Sequence, residues 1–238
     1  MKAPVRSALS FLTVAGGSRQ PGPRTVDWFA PVGALLGLAL GGLWWVTAHV
    51  WTPGPAAAVV VVADLAVTGM LHFDGLVDSG DGLIAPMARS RRLEVMATPQ
   101  VGAFGVACGA SLLLLRWVAL ASLRPSVLLV GGLWGLSRGA ISVVVRSRPY
   151  ARPGGGLATA FAGPARWPIL IAGTAGAVAL CAAWRPGPGI AAALCGLVGG
   201  TAVVALADRR LGGYTGDVLG ATVLVVETVG LLVAAAKW

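Results

Sequence analysis

Seven apolar runs, each close to the length that crosses a bilayer, constrain this chain more than any other feature. They cover Pro31 to Trp51, Pro55 to Phe73, Ala103 to Leu123, Pro125 to Val145, Trp167 to Trp184, Ile190 to Ala207 and Val218 to Ala236. About 20 apolar residues of helix span a hydrocarbon core. Hydrophobic residues make up 56% of the chain and charged ones only 11%, so lipid rather than water must face most of the surface. The expected fold is all-α: a polytopic transmembrane helical bundle of six to seven spans forming one integral membrane domain over residues 1–238. Six spans result if one Gly-rich run is re-entrant, since broken backbone is tolerated where it lines a cavity. The 35 glycines favour close helix packing, because small residues let backbones approach where hydrophobicity cannot drive association.

Charge placement gives an orientation. Outside the spans, thirteen Lys and Arg residues fall on one side: Lys2, Arg6, Arg19, Arg24, Arg89, Arg91, Arg92, Arg146, Arg148, Arg152, Arg166, Arg209 and Arg210. Three fall on the other, Arg124, Arg185 and Lys237, while Arg116 and Arg138 lie within spans. The positive-inside rule puts the thirteen in the cytoplasm with the N-terminus, and the C-terminus outside. The formal net charge of +9 does not mark a nucleic-acid binder, because no basic block is interleaved with aromatics. Ala8 to Ala15 is too short for a signal peptide, and no persuasive cleavage site follows it. Cys108, Cys181 and Cys195 each sit inside an apolar run without ligand-like pairing and are expected to be inert.

Seven of the nine acidic residues share the basic side: Asp27, Asp74, Asp78, Asp81, Glu94, Asp208 and Asp217. Within Leu71-His72-Phe73-Asp74-Gly75-Leu76-Val77-Asp78-Ser79-Gly80-Asp81-Gly82 the carboxylates recur at i, i+4 and i+7. On a helix continuing from the second span they would share one face, and a short loop would present them as well. Three like charges repel unless a cation holds them, and Mg²⁺ takes carboxylate oxygens while keeping positions open for phosphate. The competing reading is solvated loop acids balancing Arg89, Arg91 and Arg92. His72 is either a ligand or proton shuttle beside this cluster, or a hydrogen-bonded residue at the interface.

A second cluster, Gly212-Gly213-Tyr214-Thr215-Gly216-Asp217, opens the last span. Thr215 or Asp217 would cap that helix, and the exposed N–H groups of such a turn also suit phosphate. Asp217 would complete a metal shell begun by the first cluster. Arg138 within the fourth span, and Arg152 in the loop beyond it, are candidates to clamp an anionic substrate, whereas Arg146 and Arg148 are expected to enforce topology. Buried Arg138 needs a partner, and Arg116 is expected to snorkel or to pair with Asp64.

The stretch Thr68-Gly-Met-Leu-His-Phe-Asp-Gly-Leu-Val-Asp-Ser-Gly-Asp-Gly, followed by Arg91-Arg-Leu-Glu-Val-Met and Val101-Gly-Ala-Phe-Gly, resembles the cobalamin synthase family, adenosylcobinamide-GDP ribazoletransferases. Gly-Gly-Tyr-Thr-Gly-Asp-Val-Leu-Gly-Ala in the last span is similar to that family's second signature, and weaker likeness runs along nearly the whole chain. The resemblance implies a Mg²⁺-dependent transferase of the bacterial inner membrane, multi-pass, with its active site facing the cytoplasm. It would join adenosylcobinamide-GDP to α-ribazole or α-ribazole 5′-phosphate and release GMP, late in vitamin B12 assembly. By motif position Asp74, Asp78, Asp81 and Asp217 would be catalytic metal ligands, one of them acting as base. His72, Arg92, Glu94, Arg138, Arg152, Thr215 and Gly216 would contact substrate, with Glu94 orienting Arg92 or a ligand. The partners implied are these small molecules and the bilayer, with no nucleic acid, and the sequence leaves a homo-oligomer open.

The chain departs from the family at Thr98-Pro99-Gln100, where the usual pattern is Asp-Ser-Arg. Two rivals were weighed. A CDP-alcohol phosphotransferase would show Asp-Gly-x-x-Ala-Arg and a later Gly-x-x-x-Asp-x-x-x-Asp, which this chain lacks. A transporter would use Asp64, Arg116, Arg138 and Glu227 as an intramembrane path, but would not need three grouped carboxylates at one face.

Overall fold

The computed structural model of the chain describes residues 3–17, 19–152, 154–161, 163 and 166–238. Lys2, counted above on the basic side, lies outside them. Among the described residues there are ten α-helices and no strand. They are α1 (Ala3–Leu12), α2 (Phe29–Thr47), α3 (Pro53–Val67), α4 (Leu71–Ser79), α5 (Arg89–Val95), α6 (Ala103–Ser122), α7 (Val127–Ser147), α8 (Trp167–Trp184), α9 (Pro186–Leu211) and α10 (Gly216–Ala234). Six helices are long and apolar enough to cross a membrane: α2 with the short turn before it, and α6 through α10.

Burial separates the centre of the bundle from its rim. Helices α7 and α10 are mostly buried, whereas α8 is apolar all round yet largely uncovered by protein, as a lipid-facing helix should be. Glycine sets the tightest contact. Gly33, Gly37 and Gly41 line one face of α2, and a Cβ on any of them would lie within 2.5 to 2.7 Å of the α7 backbone.

The second apolar run does not form the single span expected over Pro55 to Phe73. Helix α3 stops at Val67, and the axis turns by 92° before α4 begins. Gly69 and Met70 are both left-handed, with φ of 58° at each, and two such residues in succession end a right-handed helix. Left-handed backbone is costly for Met, and Met70 is held there by backbone bonds, its N–H donating to the Leu65 carbonyl at 2.8 Å and its carbonyl accepting from the Asp74 N–H at 2.9 Å. Helix α4 therefore lies against α10 and α6 rather than prolonging α3, and we place it outside the membrane-crossing segments.

A second correction concerns the acidic face. Asp74 and Asp78 lie on α4, but Gly80–Ile84 widens into a π turn that adds a residue to the helical repeat. Asp81 stands near the start of that turn, against the beginning of α6, where its carboxylate accepts N–H bonds from Gly102 at 2.7 Å and Gly105 at 2.8 Å. Asp81 is thus engaged by backbone N–H groups of α6, while its charge still bears on Asp78 together with those of Asp217 and Asp74.

Four charged residues from four helices meet in the bundle interior. Arg116 (α6) bonds Asp64 (α3) at 2.6 Å and also pairs with Glu227 (α10), which in turn pairs with Arg138 (α7). Trp134 donates its indole N–H to Asp64 at 3.0 Å, and Ser137 donates to Glu227 at 2.9 Å. The four formal charges cancel. Charges this deeply buried need such pairing, and the set ties α3, α6, α7 and α10 together where lipid supplies no hydrophobic drive.

Candidate active site

The two acidic motifs meet through a glycine crossing. A Cβ on Gly75 of α4 would lie 2.8 Å from the Asp217 carbonyl oxygen, and one on Gly220 of α10 would lie 3.0 Å from the His72 carbonyl oxygen. Only glycine lets these backbones approach so closely, and the approach sets His72 and Asp74 beside Gly216 and Asp217.

A second device brings in Arg152. Tyr214 donates its N–H to the Pro149 carbonyl at 3.0 Å, and Ala151 donates to the Tyr214 carbonyl at 2.8 Å. This bridge fastens the segment after α7 to the turn before α10, and Arg152 then reaches Asp217 at 2.7 Å and the Met96 carbonyl at 3.0 Å. Thr215 caps α10, accepting from the Val218 N–H at 3.3 Å and donating to Asp217 at 3.2 Å.

These groups border a cavity of about 250 Å³. Leu71, Asp74, Gly156 and Gly216 at its edge are exposed, whereas His72, Phe29, Ile141, Ala158, Phe161, Leu219 and Gly220 are buried. Arg152, Tyr150, Phe11 and Asp217 complete the wall. The cavity thus has a polar mouth and an apolar inner end. It lies where α1 and the connections before α2, α6, α8 and α10 gather: Arg146 bonds Asp27 at 3.0 Å and the Phe161 carbonyl at 3.0 Å, and Arg152 reaches α5.

Burial first, and then the charges of Asp217 and Asp74, push the Asp78 carboxyl from 3.8 up to about 7, against the opposing pull of Arg152. Burial also raises the Tyr150 phenol. His72 is held well below the usual histidine range by burial, with Arg138 and Arg116 adding to the effect, so its imidazole is neutral. Its Nε2 is buried without a hydrogen-bond partner among the described residues.

Of the residues singled out in the sequence, the structure gathers His72, Asp74, Arg152, Gly216 and Asp217 on one cavity, with Asp78 one turn beyond Asp74 and Thr215 buried as the cap. Four others lie elsewhere. Asp81 binds the start of α6. Arg92 is buried and donates to the carbonyls of Gly82 at 2.7 Å and Ala85 at 2.9 Å, where the π turn leaves acceptors free. Glu94 pairs at 2.9 Å with exposed Arg91, not with Arg92. Arg138 belongs to the interior tetrad and does not border the cavity. Arg116 pairs with Asp64 and Glu227 and does not snorkel, whereas Arg138 keeps its Nε and one terminal nitrogen buried without a hydrogen-bond partner among the described residues.

The donor set suits a hard divalent cation in charge and chemistry. Asp74 and Asp217 face one cavity, and Asp78 carries a charge that burial and its neighbours penalise. Among the described residues no three such side chains converge on one point, because Asp217 is turned to Arg152 and Asp81 is engaged at α6. Asp74, Asp78 and Asp217 are therefore the oxygens available for a cation.

The sequence did not flag the inner wall. Phe11 and Phe29 stack with ring centroids 5.5 Å apart, and Phe161 meets each edge-on at 5.0 and 5.4 Å. These rings come from three distant segments and share no motif. The single available signal was the scarcity of Phe, five in the whole chain.

A family model described as cobalamin-5-phosphate synthase matches residues 4–235. Adenosylcobinamide-GDP ribazoletransferase of Bradyrhizobium diazoefficiens is 35% identical over 244 residues, which cover 98% of this chain and 94% of the relative. Proteins of the same name from Chlorobaculum tepidum and Deinococcus radiodurans are 34% and 36% identical, covering 95% and 92% of this chain and 91% and 81% of theirs. No solved structure matches. The motifs that meet at the cavity are those on which the resemblance rested, and the chain belongs to the cobalamin-5-phosphate synthase family.

Proposed function

We propose that the chain is an adenosylcobinamide-GDP ribazoletransferase of the bacterial inner membrane, with its site open to the cytoplasm. The observation that carries the reading is the convergence of Asp74, Asp217 and Arg152 on one cavity from separate motifs. The cytoplasmic placement rests on the thirteen basic residues assigned to that side.

The reaction is a substituted-phosphate transfer. A ribose hydroxyl of α-ribazole, or of its 5′-phosphate, attacks the cobinamide-bearing phosphate, the pyrophosphate link breaks, and GMP leaves. Little covalent chemistry is asked of the protein, which positions the reactants and neutralises charge. Arg152 offers a guanidinium to phosphate oxygens at the cavity mouth, and the start of α10 adds unpaired backbone N–H groups. Asp74, Asp78 and Asp217 would hold Mg²⁺, which when bound draws charge from the phosphate oxygens. One carboxylate of the same group accepts the proton of the attacking hydroxyl.

The test is turnover by purified protein in lipid nanodiscs with adenosylcobinamide-GDP, α-ribazole and Mg²⁺. GMP and a cobalamin product should appear in equal amounts, and only with both substrates and the metal. CMP release from a CDP-alcohol without GMP from the corrinoid substrate would overturn the proposal.

A further inference from the structure

We infer that the inner end of the cavity is the base pocket of the nucleoside acceptor, and that the corrinoid nucleotide stays outside it, presenting only its phosphates at the mouth. This rests on the transferase reading above and assigns its two substrates to different parts of the site.

Size makes the first division. Pockets that take drug-sized molecules hold about 300–1,000 Å³, and this cavity, at about 250 Å³, is smaller. One nucleoside with a bicyclic base fills such a space, whereas a corrin ring with its side chains and attached nucleotide is several times larger.

Polarity makes the second. The buried side chains of the inner end are Phe29, Ile141, Ala158, Phe161 and Leu219, with His72 the single polar one. The guanine of the leaving nucleotide carries several donors and acceptors. Left unpaired against this apolar wall, each would keep its full desolvation penalty. A benzimidazole-type base is apolar, planar and uncharged, and carries one free ring nitrogen.

That nitrogen has a counterpart. His72 lines the cavity and is 4% exposed, and its Nε2 has no partner among the described residues. A buried polar atom on a cavity wall calls for a ligand group to complete it. Half-buried Phe11 packs with buried Phe29 and Phe161 in one aromatic cluster that lines this end of the cavity. The ribose of a base held this way points toward the mouth, where Asp74, Asp217 and Arg152 stand.

Ala158→Leu puts three extra carbons on the inner wall and tests the assignment. With full-length protein in nanodiscs, KM for α-ribazole should rise about tenfold or more, as extra methylenes do in an apolar pocket. KM for adenosylcobinamide-GDP should change less than about twofold, and a ribonucleoside with the smaller imidazole base should be spared the defect. Phe11→Ala is the complementary variant, which should weaken α-ribazole while improving tolerance of a bulkier naphthimidazole nucleoside. Binding of α-ribazole alone, by equilibrium dialysis, should be seen in the wild type and be weakened in Ala158→Leu. A rise in the corrinoid KM with the nucleoside KM unchanged, or equal loss for large and small bases, would overturn the inference while GMP release upholds the reaction. α-Ribazole binding without GMP release would overturn the reaction and leave the base pocket standing.

Discussion

Glu227→Gln should destabilise the protein far more than an isosteric change at one side chain ordinarily does. Glu227 is fully buried and accepts from Arg116, Arg138 and Ser137, so the substitution keeps its shape and takes the tetrad from neutral to one net positive charge. Removing one partner of a buried ion pair costs about 3–5 kcal/mol, because the surviving charge stays in a low-dielectric interior. The neutral hydrogen bonds matter less, at about 0.6 kcal/mol on average between membrane helices. For a chain of this size 1 kcal/mol shifts the melting temperature by about 2–4 °C, so Glu227→Gln should melt roughly 10 °C below the wild type. Intrinsic fluorescence reports it, since Trp44 and Trp134 are buried in the bundle. Glu94→Ala is the control: its pair with Arg91 is exposed on both sides and worth at most about 1 kcal/mol. Adding Arg138→Gln to Glu227→Gln restores neutrality and should recover part of the loss. A Glu227→Gln protein that melts with the control, or a double variant whose losses simply add, would refute the electrostatic account of the interior.

Three further outcomes follow from the site. Gly75→Ala drives a methyl into the Asp217 backbone at 2.8 Å, so turnover should fall at least about tenfold while the protein still inserts, measured by GMP release and membrane fractionation; unchanged turnover would mean the crossing does not position the site. Asp81→Asn should lower stability by about 1–3 kcal/mol through its two lost charge-assisted bonds and leave Mn²⁺ affinity unchanged, checked by melting and metal titration; lost affinity at unchanged stability would make Asp81 a ligand. Asp78 is an acid whose pKa is raised on folding, from 3.8 to about 7, so its penalty is absent below about pH 4, grows as pH rises, and is complete above about 7. In chelator, the wild type should therefore gain about 1–2 kcal/mol between pH 8 and pH 5, after discounting for solvent at this partly exposed group, and Asp78→Asn should lack that gain; an identical melting-temperature profile in the variant would exclude this origin.

The membrane bundle was legible because span length and apolar content depend only on local composition. The predicted ends of Trp167–Trp184 match α8, Ala103–Leu123 matches α6 within one residue, and the ends of the other unbroken spans moved by two to four residues, as at α9, which runs on to Leu211. What failed was local geometry read by extrapolation. The apolar run through Phe73 gave no sign that Gly69 and Met70 would turn the chain, and an i, i+4, i+7 spacing cannot foresee that the Gly102 and Gly105 N–H groups engage Asp81. The meeting of Asp74 with Asp217 was suggested by motif chemistry, while its physical cause, Gly75 against Gly220, requires two helices far apart in sequence. Arg92 and Arg138 carry the right groups for phosphate, but burial commits both to the protein's own acceptors. The Phe11, Phe29 and Phe161 wall depends wholly on tertiary packing.

The most direct test of the central claim, that the carboxylates meeting at this cavity drive phosphoryl transfer, is GMP release by Asp217→Asn in nanodiscs, with melting measured on the same sample. The account predicts loss of turnover by at least about a hundredfold, with both substrates saturating and the melting temperature close to wild type. Full turnover in a folded Asp217→Asn protein would contradict it.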